Sequence, residues 1–115
     1  MHNTARIALL VVTLLANSLG SSNAANKRIL LIAGKPSHGP GDHEFRAGSL
    51  LLQKCLNKGQ NIQAEVHDFG WPKDDSAFNG IDAVLIYADG GGGHPAIQKK
   101  RAQLIDGLAT KGIGI

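Results

Sequence analysis

The chain has little of what small proteins use to staple or anchor themselves. Cys55 is the only cysteine among 115 residues, which excludes an intrachain disulfide framework. Cys55 stands at helical spacing with Leu51, Leu52 and Leu56, so it reads as a small core residue and not as a nucleophile, which needs the strained turn after a strand. Aromatic residues make up 4% of the chain, with one tryptophan, Trp71. No block of Lys and Arg interleaved with aromatics occurs, which excludes a nucleic-acid partner despite a sequence pI near 9.3. Lys99-Lys100-Arg101 is the only basic run and reads as a solvated helix face. No apolar run reaches the roughly 20 residues that cross a bilayer as a helix.

What the N-terminus does have is a short apolar core, Ile7 to Ala16, behind Arg6. A polar stretch with Ser22 and Ala24 at minus three and minus one follows it. That is the pattern of a secretory signal peptide, residues 1–24, cut after Ala24. Removing Arg6 lowers the formal charge from +3 to +2. The expectation is a secreted or periplasmic protein with no membrane span after cleavage.

Beyond the leader, Arg28 to Ala33 is continuously apolar after its first residue and is stopped by Gly34, the mark of a strand buried on both faces of a parallel sheet. Glu44 to Lys58 reads as an amphipathic helix with Phe45, Gly48, Leu52, Cys55 and Leu56 on one stripe, Asp42 as its cap and Gly59 as its stop. Ile62 to His67 alternates apolar and polar, so it belongs near a sheet edge. Ser76 to Asn79 reads as a short helical turn. Ala83 to Ala88 is a second central strand. Pro95 to Thr110 reads as a helix with Pro95 at its first position and Lys111-Gly112 at its end. Ile113-Gly114-Ile115 begins a fourth strand. Strands separated by helices make βαβ units and a parallel α/β sheet. With residues 25–115 small for this architecture, the expectation is the N-terminal part of a longer domain.

Ligands of open α/β sheets bind at the carboxyl ends of the strands, where the strand order reverses. If the first and third strands are neighbours, the loops 34–44 and 89–95 share one cleft. His38, His43, Glu44 and His94 are then the candidate catalytic residues, since imidazoles and carboxylates can move protons near neutral pH. Asp89 and the run Gly90, Gly91, Gly92 and Gly93 are the candidate ligand-binding residues, through close backbone approach and amides at a helix start. Each also has a structural duty open to it. Glu44 can serve as a first-turn helix acid, His43 can pack on the helix start, and His94 can cap the turn at Pro95. The glycines match neither G-x-x-x-x-G-K-[ST] nor G-x-G-x-x-G, which argues against a nucleotide. Three histidines with two carboxylates also suit Zn²⁺, although no tight spacing such as H-E-x-x-H is present. Glu44 and Asp89 are the one pair of carboxylates these loops offer for joint acid–base work.

Ser37-His38-Gly39 with His43-Glu44-Phe45, followed by Asp89-Gly90-Gly91 with His94-Pro95, resembles the trehalose-utilisation (ThuA-like) domain family. The resemblance runs from Lys27 to Ile115 and is greatest to exported members of planctomycete-type bacteria. It implies a flavodoxin-like three-layer α/β sandwich similar to class I glutamine amidotransferases, a carbohydrate ligand and a glycosyl hydrolase-like or other sugar-active enzyme. The cysteine elbow of the amidotransferases is not present, and the family's domain continues past residue 115 to a further His-bearing loop. A carbohydrate-binding or interaction module that does no chemistry is the alternative function for the same fold.

Overall fold

In the computed structural model, residues 26–115 are described; the signal-peptide reading of residues 1–24 lies outside them. Three strands, β1 (Lys27–Ala33), β2 (Ile62–His67) and β3 (Ala83–Tyr87), form one parallel sheet in the order β2-β1-β3. The protein is therefore an α/β fold whose chain passes from β1 out to β2 and back across to β3. β1 is central because it is apolar on both faces: Leu30, Leu31, Ile32 and Ala33 are all buried. In β2 the polar Gln63 and Glu65 face out while Ala64 is buried, as its alternation and edge position require.

Strand alternation divides the core in two. Leu30 and Ile32 of β1 and Val84 of β3 cluster with Phe78, Ile81 and Leu108 on one face. That face is covered by helix α2 (Arg101–Thr110), which contributes Leu108, and by a 3-10 turn at Asp75–Phe78 capped by the Asp74 carboxylate. On the other face lies helix α1 (Phe45–Leu56), seated over the end of β3 where Gly48 meets Tyr87. A Cβ on Gly48 would stand 2.7 Å from the Tyr87 ring, so the close seating depends on the missing side chain. After α2 the chain turns at Gly112 and makes one parallel bridge, Gly114 to Ala83. This single bridge stands where the sequence predicts a fourth strand; in the described sheet β3 is an edge strand with Leu85 and Tyr87 exposed, and not the central strand its apolar run implies.

Three local expectations are corrected. The cap of α1 is Glu44, not Asp42, because the chain turns once more: Asp42 N–H closes a turn onto Gly39 O at 3.1 Å. Cys55 is exposed. The buried stripe runs through Phe45, Ser49, Leu52 and Leu56, and Cys55 lies about 100° round the helix from Leu56. The segment from Pro95 does not enter α2 directly. Pro95–Ile97 forms a 3-10 turn, Gln98 is extended, and Lys99 takes φ +56°, so the helix starts at Arg101 and Ile97 stays exposed.

Candidate functional site

The loops that leave β1 and β3 lie side by side. Gly34 N–H donates to Tyr87 O at 2.8 Å, and a Cβ on Gly34 would come within 2.9 Å of both carbon atoms Cα and Cβ of Ala88. This close approach is possible only for glycine. It sets the loop after β1 against the loop after β3, and a polar crevice opens between them. The crevice has two adjoining hollows that share Gly34 and Pro36. One, of about 330 Å³, reaches past Ser37 and Asp89 to Trp71 and Arg101. The other, of about 310 Å³, holds His38, His43, Glu44 and Phe69.

Asp89 is the hub where the hollows meet. Its carboxylate lies 3.0 Å from His43 Nδ1. The Ser37 hydroxyl beside it, together with the His43 ring, holds the Asp89 carboxyl below the usual carboxylate range. An ionised carboxylate only accepts hydrogen bonds, so His43 carries its proton on Nδ1 and keeps a lone pair on Nε2. The Ser37 hydroxyl also lies 2.9 Å from His38 Nδ1, which ties the second ring to the same network. The two rings meet edge to face with centroids 4.2 Å apart.

The backbone under this network is unusual. His43 has φ +48°, a region that costs a non-glycine residue about 1–2 kcal/mol and that concentrates at functional positions. The strain is held in place from both sides. Glu44 accepts from Gly41 N–H at 2.9 Å, and Phe45 N–H donates to His43 O at 2.7 Å. Glu44 is therefore largely spent on shaping the loop, although it still lines the second hollow.

His38, His43 and Asp89 are brought together as the sequence implied. His94 is not among them. Its Nδ1 accepts from Ala96 N–H at 3.2 Å as a cap, and its ring lines an apolar concavity along the outer edge of β3 with Leu85 and Ile115. Of the four glycines only Gly93 lines the crevice; Gly91–Gly93 make a 3-10 turn, and the Gly92 carbonyl is tied to the Gln98 amide.

Sequence reasoning missed three crevice residues. Ser37 was the overlooked neighbour of His38. Phe69 is 62% exposed on the wall of the second hollow, with φ +62°. Arg101, read as part of a solvated basic face, is instead half-buried. Its guanidinium lies 5.2 Å over the Trp71 ring and donates to Pro95 O at 3.0 Å. The positive φ of Lys99, which rotates Arg101 away from its two lysine neighbours, has no signal in the sequence.

Set against known proteins, this chain matches no family model, no curated protein and no solved structure.

Proposed function

We propose that this protein is an exported, sugar-active member of the ThuA-like kind, with a partial flavodoxin-like fold and its active site in the crevice between β1 and β3. The observation that carries this reading is the pair of imidazoles on an exposed, water-accessible loop, His43 held directly by Asp89 and His38 by Ser37 beside it. Such a pair accepts a proton from a hydroxyl and returns it to a leaving oxygen, the acid–base work that glycosides and oxidised sugars need. Phe69 supplies an exposed ring against which the apolar face of a pyranose can lie. The expectation of export rests on residues 1–24 alone.

The roles divide as follows. His43, oriented by Asp89, is the proton acceptor, and His38 stands next to it as the second proton carrier. Asp89 is the positioning residue for His43. Glu44 accepts from Gly41 within its own loop and Asp89 meets His43 across to the neighbouring loop, so the two histidines, and not this carboxylate pair, are assigned the proton transfers.

The test is turnover of trehalose, keto-sugars and aryl glycosides by the purified protein, with calorimetric titration of the same sugars. Turnover that falls about 10²–10⁴-fold in His43→Ala supports proton transfer by that ring, and a raised KM in Phe69→Ala supports the stacking wall. Binding without turnover favours a carbohydrate-binding module, which the exposed Phe69 ring would also serve. Absence of both binding and turnover overturns the sugar reading.

A further inference from the structure

The same three side chains form a donor set for a metal ion. One ligand atom from each of His38, His43 and Asp89 lies within 4.8 Å of the other two. Donors around a tetrahedral ion at 2.0–2.2 Å stand roughly 3.3–3.6 Å apart, so closing the set asks each side chain to move by about 1 Å. All three sit at the crevice mouth, where the His43 and Asp89 side chains are 52% and 35% exposed.

We propose that His38, His43 and Asp89 bind a divalent transition ion of the zinc class, with the remaining coordination positions facing the crevice. Three features of the network favour an ion over a simple polar cluster. His43 Nδ1 and the Asp89 carboxylate already face each other at 3.0 Å, so an ion that takes the place of the proton between them is held by both, the imidazole then carrying its proton on Nε2. A ring nitrogen of His38 lies close enough to complete the set. Asp89 can accept about four bonds in all, so a cation on one lone pair leaves the others for neighbouring donors. Two imidazoles and one carboxylate also form the ligand type that leaves open positions on the ion, as a site acting on an exogenous hydroxyl requires.

This inference does not depend on what the crevice acts upon. An ion and a proton compete for the place between His43 Nδ1 and Asp89, so the loaded and unloaded crevices differ in which of them the pair holds.

The experiment is titration of the chelator-treated full chain with Co²⁺ alone, read by its visible absorption, and with Zn²⁺ by calorimetry. One equivalent of ion is expected. Affinity should fall at least tenfold in His43→Ala and in Asp89→Asn, and the double variant His38→Ala/His43→Ala should lose the cobalt spectrum. His67→Ala and His94→Ala should leave it unchanged, and far-UV circular dichroism checks that each variant is folded. The nearly isosteric Asp89→Asn keeps the result interpretable if a histidine variant unfolds. No cobalt spectrum in the folded wild-type chain would overturn the proposal, as would a spectrum that survives the double variant. Sugar turnover that persists in the chelator-treated chain would overturn the ion's part in the reaction while leaving the sugar reading intact.

Discussion

Replacing Gly34 by alanine probes the junction on which both the sheet and the crevice rest. The new Cβ would stand 2.9 Å from the Cα and Cβ of Ala88 and 3.0 Å from Phe45 Cδ2. Ordinary carbon contacts begin at 3.4 Å, so something must yield by about 0.5 Å. A flexible side-chain tip could give way cheaply, but two of the three obstructing atoms belong to the backbone or the first side-chain carbon of a residue directly after β3. Phe45 cannot retreat either, since it is buried under α1 and its ring packs edge-on against Tyr87 at 5.0 Å. Overpacking of this kind costs about 1–3 kcal/mol. Gly34 is not in the left-handed region, so alanine recovers about 0.4–1 kcal/mol by restricting the unfolded chain. At the middle of both ranges the net loss is about 1.3 kcal/mol, which for a domain of this size lowers Tm by roughly 5–10 °C. Thermal and urea unfolding followed by circular dichroism measure it. Gly90→Ala is the control, because a Cβ there meets nothing within 4 Å and its φ is −81°. If Gly34→Ala and Gly90→Ala unfold within 2 °C or so of each other, the β1–β3 junction is not the tight contact described above.

Two further predictions concern stability. Ser49 is 1% exposed, and its hydroxyl finds no partner among the described residues, so Ser49→Ala should stabilise the chain by roughly 0.5–2 kcal/mol through lost desolvation cost and higher helix propensity. A Tm that falls by several degrees would refute this. Asp82 accepts from Lys27 Nζ at 2.7 Å and from Arg28 N–H at 2.8 Å, and the Lys27 bond is the chief cause that holds its carboxyl below the ordinary value. A depressed folded-state pKa gives stability that is present above the unfolded value, near pH 4, and is lost as pH falls through the folded value. Asp82→Asn should accordingly flatten the decline in Tm below about pH 4, and identical acid limbs in the two proteins would refute the assignment.

The sheet was legible because its signals are local and redundant. Ile29 to Ala33 can be nothing but a doubly buried strand, and the alternation at Gln63 and Glu65 places β2 at an edge before any coordinate is known. The loops after β1 and β3 could be named as one cleft because strand order alone makes them neighbours. What stayed hidden depends on single backbone angles. The positive φ of His43 carries that ring toward Asp89, and the positive φ of Lys99 carries Arg101 onto Trp71. Both are L-residues in a conformation their identity disfavours, and tertiary contacts alone pay for it. His94 went astray for a related reason: Pro95 promised a helix start, but the chain made a separate 3-10 turn and spent the imidazole as its cap.

His43 and Asp89 are 46 positions apart in the chain, and only the pairing of β1 with β3, which skips over β2, makes them partners. A ligand that needs both is therefore bound far more tightly by the folded form than by the unfolded polypeptide. Binding then adds directly to stability, by about 2.7 kcal/mol at a ligand concentration one hundred times Kd. The melting temperature thus becomes an assay that needs no knowledge of the reaction. A panel of sugars and metal ions can be ranked by how far each raises it, and the ranking reads the chemistry of the crevice before any substrate is known.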